Sequence, residues 1–299
     1  MSIRVVASCV AITGLWVCAH AADVNRGVET TFVVTVADHM GHKPPVLTKE
    51  DLNGSLSMRI KGVTPLYGDK ELYILVDDAA NYDFGAKLDE LRTFVKSQPQ
   101  STAVGLAFIR DGELNVIQTP AKDRRLVARA LRAPSGSKPA NPYCALFRLL
   151  SGWKPGVERR EILMITSGLD NSPAGAAFCG NADSAIAEAE RIGVSVYAIY
   201  HPSADYAAED WRRVDNGVVD LSHVCYETGG ESYFVTHSAM ETIAPFLDDI
   251  SEHLDNQYRV TAVFDAAALP GLRDVYLHPV SLDLELMAPA KVWIGGEER

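Results

Sequence analysis

Leu72-Tyr-Ile-Leu-Val-Asp-Asp-Ala-Ala-Asn-Tyr-Asp-Phe-Gly85 is the stretch that decides the fold. Leu72 to Val76 is an unbroken apolar run, as suits a strand buried on both faces of a parallel sheet. Ala86-Lys-Leu-Asp-Glu-Leu-Arg-Thr-Phe-Val95 follows, and Leu88, Leu91, Phe94 and Val95 recur at helical spacing, so a helix is expected to return one face to that sheet. The loop between them leaves the carboxyl end of a strand, where open α/β sheets form their ligand crevice. Asp77 and Asp78 stand there side by side.

Outward from this point, strands and helices alternate. Ala103–Ile109, Glu161–Ile165 and Val194–Ile199 read as buried strands, and Asp111-Gly112 as a hairpin turn. Helices are expected over Asp123–Leu131, Cys144–Leu150 and Asp183–Ile192, the last stopped by Gly193, and another from Ser238. A further strand follows the turn at Thr228-Gly-Gly230. This alternation predicts a mostly parallel sheet wrapped on both faces. Residues 23–70 and 255–299 instead show short β-type runs, among them Glu29–Asp38, Asp51–Gly62, Tyr258–Phe264, Arg273–His278 and Leu282–Met287. The expected organisation is an α/β domain over 71–254, with a small β-rich domain made by pairing the two ends.

The 299 residues are 47% hydrophobic and 22% charged, with a formal net charge of −11. No dense run of Lys or Arg occurs, which argues against nucleic acid as a partner because phosphate recognition needs a basic footprint. Residues 1–21 read as a signal peptide: Arg4, an apolar run from Val5 to Cys18, and the small-x-small site Ala19-His-Ala21. That run is shorter than the ~20 residues a spanning helix needs, and no later stretch would cross a membrane. The expected location is secreted or periplasmic. Cys144, Cys179 and Cys225 remain after cleavage. Cys144 and Cys179 each follow a loop leaving the sheet and are the disulfide candidates, while Cys225 reads as a buried thiol on a helix.

Several phrases in this order resemble the von Willebrand factor A fold, and more narrowly the secreted bacterial proteins called VWFA-related, common in Acidobacteria. They are Phe32-Val-Val-Thr-Val-Ala-Asp38, Leu47-Thr-Lys-Glu-Asp-Leu52, Leu75-Val-Asp-Asp-Ala79, Leu88-Asp-Glu-Leu-Arg-Thr-Phe94, Arg159-Arg-Glu-Ile-Leu-Met-Ile-Thr166, Ile192-Gly-Val-Ser-Val-Tyr-Ala-Ile199 and Glu227-Thr-Gly-Gly230. The resemblance implies a Rossmann-like, vWA-type sheet and a metal-ion-dependent adhesion site at its top. That site has Asp-x-Ser-x-Ser after the first strand, a Thr from a second loop and an Asp in Thr-Asp-Gly, which suit a hard cation. Asp77 matches the first Asp. Ala79 and Asn81 replace the two Ser residues, Ser167 replaces the Asp, and Lys138-Pro-Ala-Asn-Pro-Tyr143 offers no Thr. The site therefore reads as degenerate and no metal or other cofactor is expected. The alternative is Mg²⁺ or Ca²⁺ held by Asp77, Asn81 and Asp170.

Catalytic signatures are missing from the sequence. No Gly-x-Ser-x-Gly elbow, His-Glu-x-x-His helix or phosphate-cradling Gly-rich loop occurs. The resulting expectation is a non-catalytic protein-binding or adhesion-type module. Its crevice is framed by Asp77, Asp78, Asn81, Ser167 and Asp170, with Tyr82 and Tyr143 as aromatic anchors on the rim. A divalent-cation-dependent adhesin using Asp77 and Asp170 is the second reading, and a hydrolase with an acidic crevice the third.

Overall fold

The computed structural model describes residues 27–38, 43–80, 82–136, 141–154, 157–170, 180–203, 211–234, 242–265 and 270–295. Three strands come first, β1 (Val28–Asp38), β2 (Leu52–Gly54) and β3 (Met58–Pro65). The alternating part follows as β4 (Lys70–Asp77), α1 (Leu88–Ser97), β5 (Thr102–Arg110), β6 (Glu113–Ala121), α2 (Arg124–Ala130), α3 (Pro142–Ser151), β7 (Arg159–Thr166), α4 (Ala182–Ile192), β8 (Val194–Tyr200), α5 (Trp211–Glu227), β9 (Ser232–Phe234) and α6 (Ala244–Asp255). The chain closes with β10 (Gln257–Phe264), β11 (Gly271–Asp274), β12 (Leu277–Pro279), β13 (Leu284–Met287) and β14 (Lys291–Ile294).

Six strands form the central sheet in the order β6-β5-β4-β7-β8-β9. All neighbours run parallel except β5 and β6, which make an antiparallel edge hairpin. Asp111 (φ 52°) and Gly112 (φ 76°) sit at its tip, the two positive-φ residues that match the twist of paired strands. Because strands β4, β7 and β8 are covered on both sides, their apolar runs do not alternate. One face packs under Leu88, Leu91 and Phe94 of α1, Val127 of α2 and Leu247 and Ile250 of α6. The other packs under α3, α4 and α5 through Leu146, Leu149, Ile186, Ala189, Leu221 and Val224. β4 lies between β5 and β7, so its carboxyl end falls where the strand order reverses, the place such sheets bind ligands.

The two chain ends do pair. β10 runs antiparallel to β1, from Val28 opposite Phe264 to Thr35 opposite Gln257, and β3 flanks its other side. The four-stranded order is β13-β1-β10-β3, with its own core of Phe32, Val34, Met58, Val260, Ala262 and Ile294. A buried polar knot joins this sheet to the base of the α/β part. The Gln257 amide accepts from Arg159 Nε at 2.8 Å and donates to Glu161 Oε1 at 2.7 Å, while Lys70 stands near Asp255 at 3.9 Å. The architecture is thus the one expected: a Rossmann-like, mostly parallel sheet flanked by helices, plus a β-rich part built from both termini.

Several local expectations change. The span expected as one helix from 86 begins as a 3-10 turn, Tyr82–Lys87, before α1. Asp51–Gly62 splits into β2 and β3 around a turn. The last helix begins at Ala244, with Pro245 in its first turn, and residues 235–241, including the expected start at Ser238, lie outside the described residues. Strand β14 was not anticipated.

Candidate functional site

Residues at the carboxyl end of the sheet build the crevice. Asp77 is the last residue of β4 and is 1% exposed. Its Oδ1 accepts the Ala79 N–H at 2.9 Å and its Oδ2 accepts the Thr166 hydroxyl at 2.9 Å. Thr166 in turn receives the Gly168 N–H. Burial pushes the Asp77 carboxyl up to about 6, against the two hydrogen bonds that favour its charge.

Asp78 points the other way, into a cationic clamp rather than toward solvent. Its two oxygens accept Arg132 Nη1 at 2.6 Å and Nη2 at 2.9 Å, a bidentate pair, and also the Ser135 N–H and hydroxyl, both at 2.8 Å. The Arg132 guanidinium lies 4.2 Å over the Phe108 ring. Burial alone would raise the Asp78 carboxyl, but the bonds from Arg132 and Ser135 outweigh it and hold it below the usual carboxylate range. The two neighbours are driven in opposite directions by their surroundings.

Ser167 and Asp170 lie on the loop after β7. Ser167 is 2% exposed, with its hydroxyl turned to the Leu169 N–H at 3.5 Å. The loop is pressed on α5: a Cβ on Gly168 (φ 68°) would lie 2.2 Å from the Gly217 carbonyl oxygen. Asp170 is exposed at the rim.

Tyr143 is a correction. Expected on the rim as an aromatic anchor, it is 1% exposed on α3, and its hydroxyl, buried among apolar neighbours, is pushed well above the normal tyrosine range. The reason is local. Asn141 caps α3 by accepting the Cys144 N–H at 3.2 Å, and Pro142 takes the first helical turn, so the helix starts before Tyr143 and carries it inward. Phe84 is likewise fully buried, edge-on to His201 at 5.3 Å between ring centroids. Asn81 and the side chain of Tyr82 lie outside the described residues. The structure therefore brings Asp77, Asp78 and Ser167 together as the crevice floor, leaves Asp170 on its edge and takes Tyr143 out of it. Sequence reasoning missed Thr166, Arg132 and Ser135. Thr166 was legible as the residue ending a buried strand, whereas Arg132 and Ser135 are distant in sequence from the aspartate they hold.

Of the adhesion-site positions, the described floor shows those of Asp77, Ala79 and Ser167, while Asn81 and residues 137–140 lie outside the described residues. Both oxygens of Asp77 are already engaged by donors, Ala79 has no ligating atom, and Asp78 is neutralised by Arg132. Cys144 is disulfide-bonded and Cys225 is a buried free thiol; Cys179 lies outside the described residues. No helix is long and apolar enough to cross a membrane among the described residues. A cavity of about 510 Å³ opens away from the crevice, between β1, the ends of α3 and α4, and β14. Glu190 lines it, its carboxyl pushed up to about 7 by burial.

No protein-family model matches this chain, and no curated protein does. Among solved structures, it is similar to an aerotolerance-related membrane protein from Bacteroides fragilis at 16% identity and TM-score 0.44, covering 62% of this chain and 98% of that one. It is also similar to the SpRpn10 VWA domain at 14% identity and TM-score 0.39, covering 60% and 94%. The vWF domain of the type V pili tip protein Mfa5 from Porphyromonas gingivalis matches at 10% identity and TM-score 0.44, covering 62% and 95%. At these scores the likenesses add nothing to the fold read from the strand order itself.

Proposed function

We propose that this chain is an exported, non-catalytic module that binds a protein partner through the loops at the carboxyl end of its parallel sheet, without a metal ion at that site. The observation that carries this reading is the internal locking of the crevice floor. Asp77 is spent on Ala79 and Thr166, and Asp78 on Arg132 and Ser135. A general acid or base must have a proton position open to substrate, and a metal ligand needs free lone pairs. Asp78 has none left, with four donors on its two oxygens, and each Asp77 oxygen is already held by one donor, so the floor serves chiefly to fix the loops above it. The rim above the floor carries the exposed Asp170 and Arg110, whose side chain is 55% exposed and pairs with Asp78 at 3.9 Å and Asp111 at 3.8 Å. Rim charges of this kind steer and orient association. Export is supported by the N-terminal reading of residues 1–21 and by the disulfide-bonded Cys144, since such bonds persist in oxidising compartments.

The test is capture of partner proteins from a cell-envelope extract by the immobilised chain in EDTA, with the bound region mapped by cross-linking. Capture should persist in EDTA, cross-link to the loops after β4 and β7, and weaken on Asp170→Arg. Capture that requires Mg²⁺ or Ca²⁺, or that is indifferent to Asp170→Arg and cross-links elsewhere, would sink the proposal.

A further inference from the structure

A second polar cluster lies at the β9 edge of the sheet, between that strand and α6, and none of its residues is among those of the crevice. Glu231 leads into β9, where Ser232 pairs with Ala198 of β8. Asp249 and His253 are one turn apart on α6, the spacing that puts two side chains on one helix face. The His253 side chain is 5% exposed, those of Glu231 and Asp249 43% and 46%. One ligand atom from each of the three lies within 4.8 Å of the other two. His253 Nδ1 is 3.6 Å from Glu231 Oε2. The Tyr233 hydroxyl sits among them, 2.7 Å from Asp249 Oδ2, 3.3 Å from Glu231 Oε2 and 3.4 Å from His253 Nδ1.

Two features set this cluster apart. The first is charge. Asp78 and Glu158, by contrast, each have a guanidinium partner, Arg132 and Arg259. Among the described residues neither Glu231 nor Asp249 pairs with a Lys or Arg, and Glu285 adds a third negative charge to their field. The second is hydrogen-bond supply: one phenol proton and one imidazole proton stand among two carboxylates, with the Tyr233 hydroxyl near all three side chains. A cation would balance the two acids where no Lys or Arg among the described residues does.

We propose that Glu231, Asp249 and His253 form a binding site for a divalent transition metal, of which Zn²⁺ is the best fit. An imidazole nitrogen suits Zn²⁺, which also accepts carboxylate oxygens, whereas Mg²⁺ and Ca²⁺ favour oxygen alone. Zinc bonds of about 2.0–2.1 Å in a tetrahedron separate neighbouring donors by about 3.3 Å. The Tyr233 hydroxyl lies 2.7 to 3.4 Å from Asp249 Oδ2, Glu231 Oε2 and His253 Nδ1, and Glu231 Oε2 lies 3.6 Å from His253 Nδ1. The hydroxyl occupies the fourth corner, the position that a water or Tyr233 itself fills once the ion is bound. Such an ion clips the last turn of α6 to β9. Tyr197, whose ring lies 6.2 Å from that of His253, continues the contact to Thr35 of β1. The site is a structural clip beneath the β-rich sheet, independent of whatever binds the crevice.

The experiment uses the full chain freed of metal with EDTA and then dialysed. Co²⁺ is titrated while its visible ligand-field absorption is followed, Zn²⁺ is added to displace it, and the melting temperature is read with and without Zn²⁺. One Co²⁺ per chain with a tetrahedral-type spectrum, displaced by Zn²⁺, and a higher melting temperature with Zn²⁺ are expected. Asp249→Asn, which preserves shape at a half-exposed position, should weaken binding by at least about tenfold, as should Glu231→Gln. Asp77→Asn, in the crevice, should leave the titration unchanged. The proposal is overturned by no spectrum and no thermal shift at millimolar metal, by binding that survives both Asp249→Asn and Glu231→Gln, or by binding lost in Asp77→Asn alone.

Discussion

Asp77 carries a carboxyl group where ionisation is costly, and its protonation ties the crevice to pH. Its value in the folded chain is about 6, against an ordinary value of 3.8, chiefly because burial disfavours the charge. A group whose folded value is raised binds its proton more tightly in the folded state. Its stabilising contribution is therefore complete below about pH 4 and is lost as pH rises through about 6. The Asp77→Asn variant does not titrate, so its stability relative to the parent should climb between pH 4 and pH 7. The climb should be on the order of 3 kcal/mol for a shift of about two units. Urea unfolding at a series of pH values measures it, and a flat difference across that range would show that Asp77 is not the buried acid described here. At this scale the sequence was partly legible. The tandem aspartates at a strand end marked the crevice, but the direction of each could not be read, because Arg132 reaches Asp78 from 54 residues away. The zinc candidate was hidden for a similar reason. Asp249-x-x-x-His253 is visible as a helical pair, but only the parallel docking of β9 brings Glu231 to it.

Elements carry the next kind of constraint, seen best in two glycines with the same backbone angle. Gly168, in the loop after β7, and Gly193, at the end of α4, both have φ of 68°. A Cβ on Gly193 meets nothing within 4 Å, whereas on Gly168 it would stand 2.2 Å from the Gly217 carbonyl oxygen. Gly193→Ala should therefore cost only the left-handed backbone penalty of about 1–2 kcal/mol. Gly168→Ala should cost clearly more, since α5 or the loop must move. Equal losses in denaturant unfolding would refute the close packing of that loop on α5. Helix and strand types were largely legible, because long apolar runs and helical spacing survive any detail of packing. Ends were less so. Asn141-Pro142 is a capping signal that places Tyr143 inside a helix, yet without it the same residues read as a Pro-rich loop. Lys291-Val-Trp-Ile294 was missed because a strand of four residues has too little pattern to stand out.

At the scale of the whole molecule, the pairing of the chain ends was legible because two β-type segments flanked an α/β middle and had no other partners. How they are joined to it was not legible. Arg159, Glu161 and Gln257 are buried together at the joint, and a buried charge with a missing partner costs about 3–5 kcal/mol. The two parts should therefore unfold together. Tryptophan fluorescence and far-ultraviolet circular dichroism should trace one coincident transition, and Gln257→Leu should lower its midpoint without dividing it. Two separate transitions in the parent chain would mean that the joint does not couple the parts.

The position of β10 between β1 and β3 has a consequence for how the protein is made. The two outer strands are synthesised first, and the strand between them only after the whole α/β part. Until then both carry unsatisfied edges, the kind of surface that recruits other chains. A product that ends early, or is clipped before residue 257, would keep its crevice sequence yet lack the strand that closes the sheet. Synthesis of β10 and concealment of the facing edges of β1 and β3 are thus one event, and a copy clipped before it marks itself for aggregation or disposal.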